Sequence, residues 1–155
     1  MRLCKTPAGR SRRILRCCAP LTTLPKAPIL RRKVAKPPFE ILPNVWLGAS
    51  VEDYRVLYRL DAVRRVPAAI RFVSLEPLIG SVAQGDLTGI HWAIVGGESG
   101  PRAREMKPEW VDEIEAKCRH SGTAFFFKQW GVKNKKAAGR LLRGRTYDEL
   151  PALRM

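Results

Sequence analysis

The chain has 155 residues, 45% of them hydrophobic, which is material for one core of ordinary domain size. Its formal net charge of +15 is unevenly placed, since residues 1–40 hold 11 Lys and Arg against the single acid Glu40, a balance of +10 that leaves +5 for the remainder. No run approaches the roughly 18 apolar residues of a membrane span, and Pro20, Pro25 and Pro28 interrupt the stretches that a secretory signal or an amphipathic transit peptide would need.

Residues 1–42 show neither helical nor strand periodicity. Their Pro, Lys and Arg content suits a segment that cannot bury enough apolar surface to offset chain entropy. Two units are therefore expected: a disordered basic tail over 1–42 and an α/β domain over 43–151. Deleting the tail should leave the domain's stability unchanged. Cys4, Cys17, Cys18 and Cys118 fit no chelating pattern, so no metal site is expected, and the absence of a secretory signal points to reduced thiols in a cytoplasm.

From Pro43 the pattern changes. Val45 to Ser50 is a short apolar run, and Ser50 followed three residues later by Asp53 resembles a capping-box helix start. The helix that follows places Val56, Leu57, Leu60 and Val63 on one face and ends at Pro67. Ala69–Ser74 reads as a second strand and Ile90–Val95 as a third, the latter stopping at Gly96-Gly97. Pro108 suits the first turn of a second helix, with acids at its start, bases at its end and Gly122 as terminator. Thr123–Phe127 is a fourth strand, followed by a basic segment with one turn of helix near Tyr147.

Strands that are continuously apolar and alternate with helices indicate a parallel sheet, either an open sheet or a partial (β/α) barrel of about four strands. In both, ligands bind at the carboxyl ends of the strands. That rule gathers Ser50 and Glu52, Ser74 and Glu76, Glu98 and Ser99, and Lys128 and Gln129. The glycines of Gly96-Gly97-Glu98-Ser99-Gly100 suit either a tight turn or a close ligand approach, and Glu98 suits an ammonium group or a pair of ribose hydroxyls better than a phosphate. The candidate binding set is Glu76, Gly96, Gly97, Glu98, Ser99, Lys128 and Gln129, with Lys128 expected to pair with Glu98 and to leave Glu76 for a ligand. Trp46, Trp92 and Trp130 read as core residues.

The series Pro-Asn-Val-Trp-Leu-Gly-Ala-Ser-Val-Glu (43–52), Ile-Arg-Phe-Val-Ser-Leu-Glu-Pro-Leu (70–78), Trp-Ala-Ile-Val-Gly-Gly-Glu-Ser-Gly (92–100) and Phe-Phe-Phe-Lys-Gln-Trp-Gly (125–131) resembles a bacterial and phage family. That family is labelled after phage gene products thirty-seven and sixty-eight and is otherwise a domain of unknown function. The resemblance covers about 43–151 and leaves the N-terminal segment unrelated. It implies, for complete members, a radical S-adenosylmethionine-like protein with an iron-sulfur cluster held by closely spaced N-terminal cysteines. Those cysteines are missing from this chain, and Arg143 stands where the resemblance leads to an acid. The expectation is a truncated member that keeps part of the pocket, is not catalytic alone and holds no cofactor of its own. Two other readings stand beside it: a small basic nucleic-acid-binding protein, binding weakly through the tail, and the inert product of a decayed or frame-shifted gene. No membrane partner is expected, and an uncovered sheet edge would permit self-association.

Overall fold

The structure is a computed structural model that describes residues 13–16, 42, 44–131 and 139–152. Five strands form one open parallel sheet: β1 (Arg13–Arg16), β2 (Val45–Ser50), β3 (Ile70–Leu75), β4 (Trp92–Gly96) and β5 (Ala124–Gln129), lying side by side in chain order. Two helices, α1 (Tyr58–Arg65) and α2 (Pro108–Ser121), pack on it, α1 against β2 and β3 and α2 against β5. The parallel α/β architecture is as the periodicity implies, and the sheet is open, not closed into a barrel. Strand β1 is the addition, because Arg13–Arg16 fall inside the segment expected to be disordered and pair with Val45–Gly48. The rest of that expectation concerns residues outside the described ones.

Two helix ends show how local chemistry sets the boundaries. Asp53, not Ser50, is the N-cap: its carboxylate accepts from Arg55 N–H at 2.9 Å and starts a 3-10 turn, Tyr54–Val56, that leads into α1. Ser50 instead closes β2. Helix α2 begins with Pro108 and ends at Gly122 with φ 69°, a left-handed cap that glycine adopts without a steric penalty.

The strands alternate between two apolar layers. On the helix-covered face Val73, Leu75, Ala93, Val95, Phe125 and Phe127 pack with Leu60, Val63, Val111, Ile114 and Cys118. Burial of each phenylalanine there contributes roughly 2–3 kcal/mol. On the opposite face Trp46, Ile70, Phe72, Trp92 and Ile94 form a second cluster, with Trp46 and Phe126 both edge-on to Trp92. Trp46 and Trp92 are thus core residues, and Trp130 is half-buried against Phe127.

The stretch near Tyr147 is not helical. It runs antiparallel along the free edge of β5, where Phe127 N–H donates to Tyr147 O at 2.9 Å and Glu149 N–H to Phe125 O at 3.3 Å. Tyr147 is buried edge-on against Phe125, and that packing outweighs any helical preference of the segment. This strap covers one of the two sheet edges. No helix among the described residues is long and apolar enough to cross a membrane.

Candidate functional site

Because all the strands are parallel, the loops after β2, β3, β4 and β5 emerge at one end of the sheet. Glu76 follows β3 and is joined to Pro77 by a cis peptide bond. Lys128 lies two strands away on β5, at a bulge: Val95 pairs with Phe127 but Gly96 pairs with Gln129, so Lys128 is the extra residue. Its ammonium reaches across β4 and donates to both oxygens of Glu76, at 2.7 and 2.9 Å. Gly96 lies beneath that crossing, and a Cβ on it would come within 3.3 Å of Glu76 Oε1. The expected Lys128–Glu98 pair is therefore replaced by Lys128–Glu76.

Glu98 has a different partner, Arg104, from the loop between β4 and α2. The guanidinium donates to Oε2 at 2.7 Å and to Oε1 at 2.8 Å, and Arg104 N–H adds a third bond at 3.0 Å. These bonds hold the Glu98 carboxyl down at about 2, so it is an ionised, acceptor-only group at any ordinary pH. The loop after β2 repeats the pattern: Glu52 pairs with Arg59 at 3.0 Å, and Asp53, buried, is gripped by Arg55, whose hydrogen bonds lower its pKa. Asp53, Glu52, Glu76 and Glu98 thus each have a cation, which corrects the expectation that Glu76 and Glu98 share one and leave a carboxylate over. Gln129 Nε2 donates to Ser99 Oγ at 2.8 Å and ties the β5 loop to the β4 loop.

Gly97 after β4 and Gly131 after β5 serve the protein's own packing. A Cβ on Gly97 would meet Gly131 N at 2.1 Å, and one on Gly131 would meet the Glu98 backbone at 2.5 Å. The loops after β4 and β5 touch backbone to backbone, fixing where the Glu98 side chain starts. Gly131 is outside the candidate set, although a glycine two residues past the end of a strand is a readable signal. Arg104 lies in an irregular loop and had no such signal.

Ser74 ends the polar inventory. It is fully buried near the carboxyl end of β3, and its Oγ has no hydrogen-bond partner among the described residues. At the opposite end of the sheet, a cavity of about 350 Å³ is lined by Ile70, His91, Cys118, Arg119, Thr123 and Glu149. It lies away from the strand ends that carry the ion pairs. Burial pushes the Cys118 thiol up to about 12, which makes it a poor ligand for an iron-sulfur cluster, and it is at the wrong end. Cys4, Cys17 and Cys18 lie outside the described residues.

The basic C-terminal group is largely engaged. Arg140 pairs with Asp148, Arg143 with Glu115 and with Asp112 at 3.5 Å, and Arg145 stacks on Tyr147 at 4.4 Å. Arg143 also has φ 51°, the left-handed turn position before Gly144. Its acids on α2 account for a cation at this place. Lys133, Lys135 and Lys136 lie outside the described residues.

Comparison with known proteins gives one family. A family model described as "Protein of unknown function (DUF5131)" matches residues 10–151. No curated protein and no solved structure matches the chain. The match begins at residue 10, so it includes β1 and corrects the expectation that the segment up to 42 is unrelated to the domain. The family model thus spans all five strands, both helices and the strap, and the chain belongs to this family of proteins of unknown function.

Proposed function

We propose that the carboxyl end of the sheet is a binding site for a ligand of the S-adenosylmethionine class, and that this chain binds such a ligand without carrying out radical chemistry by itself. The observation behind the reading is the bidentate grip of Arg104 on Glu98. Two N–H donors meet the two oxygens of one ionised carboxylate, and a vicinal ribose diol offers two O–H donors in a comparable arrangement. The Arg104 side chain is 56% exposed, so the pair is of the solvated kind that contributes little and can be exchanged. Gly97 and Gly131 hold the Glu98 backbone in place, while Gln129 and Ser99 supply further polar atoms beside it.

The resemblance to phage-type radical proteins gives the class of ligand, and the residues present fit its polar groups. S-adenosylmethionine supplies an activated sulfonium when bound. Glu98 would accept from the diol, and Glu76 with Lys128 presents both signs of charge on the other side of Gly96. The iron-sulfur cluster of that class does not fit Cys118, and no step is assigned to it.

Titration of the full chain with S-adenosylhomocysteine, followed by calorimetry, tests the reading. Binding that is lost or weakened at least tenfold by Glu98→Gln, and is kept or tightened by Arg104→Ala, is the expected result. Absence of binding, or equal affinity of Glu98→Gln and the parent chain, overturns it.

A further inference from the structure

We infer that the outer rim at the carboxyl end of the sheet is a docking surface for single-stranded nucleic acid, with Arg55, Arg59, Arg104 and Lys128 facing its phosphates and Tyr54 and Tyr58 stacking on its bases. This names the substrate class of the site proposed above. It rests on that reading for the strand being a substrate, and the surface itself stands without it. The four ion pairs at this end share one orientation. The Arg55 side chain is 66% exposed against 7% for Asp53, and Lys128 is 47% exposed against 17% for Glu76. Arg104 lies outside Glu98 in the same sense, and Arg59 slightly outside Glu52. A partner approaching this end therefore meets cations first, with the carboxylates recessed behind them, although the pairs carry no net charge. That order is not general to the chain, since Arg64, at the far end of α1, is 29% exposed beneath an Asp61 that is 60% exposed.

An outward guanidinium keeps N–H donors that its recessed acid does not use, so an anion can take them while the acid stays paired. The loops bring these cations within reach of one strand. Ile79 N–H donates to Glu52 O at 3.0 Å and joins the loops after β2 and β3. The Asp53 carboxyl is held below its usual range first by the Arg55 hydrogen bond and also by the charge of Arg104, which sets the loop after β4 beside the loop after β2. Aromatic rings complete the surface. Tyr54 and Tyr58 are both more than half exposed, and each directly precedes an arginine, with the Arg59 guanidinium 6.0 Å from the Tyr58 ring. Ring and cation thus recur together along 54–59, and a nucleotide offers a flat face for the one and a phosphate for the other. An acidic peptide matches the cations but leaves the rings bare, and a duplex keeps its bases stacked on one another, so an open strand fits both halves of the surface. A diol that takes Glu98 as proposed above would release Arg104 toward that strand.

The test titrates the full chain into fluorescent probes of equal length, oligothymidylate, oligouridylate and an abasic oligomer that keeps the phosphates without the bases, and reads anisotropy. A base-bearing probe should bind about fivefold or more tightly than the abasic one, the worth of one stacked base, and whichever of the two binds better tells DNA from RNA. Tyr54→Ala/Tyr58→Ala should abolish that gap and leave Tm nearly unchanged, because both rings are exposed. Arg104→Gln should lower the slope of log affinity on log salt by about 0.7, one phosphate contact on a single strand. Arg31→Gln/Arg32→Gln/Lys33→Gln, which removes charge from the basic N-terminal segment, should weaken all probes together and leave the gap as it was. Equal affinity for abasic and base-bearing probes, or a gap that survives the tyrosine double variant, would overturn the inference. So would an oligoglutamate peptide of the same length that competes as well as oligothymidylate, by assigning the surface to an acidic protein. The outcome is separable from that with S-adenosylhomocysteine: no binding there with a base-dependent gap here removes the cofactor reading and leaves the surface, and the reverse pattern removes the surface alone.

Discussion

Gly97 and Gly131 meet backbone to backbone, so closely that a Cβ on the first would lie 2.4 Å from the Cα of the second. This contact joins the loops after β4 and β5, and Gly97 N–H donates to Gln129 O at 3.0 Å beside it. Neither glycine is free to take a side chain without moving main chain.

Gly97→Ala and Gly131→Ala should each destabilise the protein by about 1–3 kcal/mol, the usual range for overpacking. The double variant should cost less than the sum, because one displacement of the loops relieves both clashes. Urea unfolding measures this. Unchanged stability in Gly97→Ala would mean that the glycine serves a ligand's approach instead of this contact.

Glu98 should titrate near 2, and Arg104→Ala should return it toward its ordinary 4.5. The folded value lies below the unfolded one, so the pair's contribution is complete above about pH 4.5 and fades as the pH falls toward 2. Carboxyl-carbon NMR on the folded chain reads the midpoint, and unfolding at several pH values reads the stability. Arg104→Ala should show a shallower loss of stability across that interval than the parent chain.

Much of this arrangement was legible in the residues, and its limits have physical causes. The aromatic run Phe125-Phe126-Phe127 and the capped helix Pro108–Ser121 are strong local signals, and the parallel rule brought Glu76, Glu98 and Lys128 to one end correctly. Which acid Lys128 chooses was not legible, since that depends on a bulge between Val95 and Gly96 and on the missing side chain at Gly96. Strand β1 escaped for another reason. Arg-Ile-Leu-Arg is a four-residue stretch, and its strand conformation comes from pairing with Val45–Gly48, a contact that periodicity within 1–42 cannot reveal.

That pairing reverses the expectation for an N-terminal deletion. Removing residues 1–40 takes away β1 and leaves the outer edge of β2 with unpaired N–H and C=O groups. The shortened chain should lose stability measurably and associate at higher concentration. Light scattering and thermal unfolding of the two chains side by side provide the check, and equal Tm values with a monomer in both would show that β1 adds nothing.

The opposite edge should respond in the same way. Tyr147→Ala removes a buried ring that packs on Phe125 and anchors the strap, and should cost roughly 3 kcal/mol or more, as large aromatic truncations do. Hydrogen exchange at the Phe127 N–H, which donates to Tyr147 O, should accelerate with it. An exchange rate that does not change while stability falls would mean that the strap stays in place without its anchor.

The crossing of β4 by Lys128 offers the sharpest test of the site's geometry, because Gly96 on β4, Lys128 on β5 and Glu76 just after β3 must cooperate. Glu76→Gln and Lys128→Met each break the pair, and the Glu76 side chain, 17% exposed, is the less solvated partner. Removing the ammonium should therefore perturb the protein more than removing the carboxylate's charge, since a shielded acid left without its cation is worse placed than an ammonium that can turn to water. Gly96→Ala attacks the same contact from below: its Cβ would approach Glu76 Oε1 to 3.3 Å, so the carboxylate must give way by a few tenths of an ångström. If the pair's geometry depends on Gly96 being bare, Gly96→Ala should reduce the coupling energy measured between Glu76→Gln and Lys128→Met in a double-mutant cycle. A coupling that survives Gly96→Ala intact would show that the ion pair does not depend on the gap above β4.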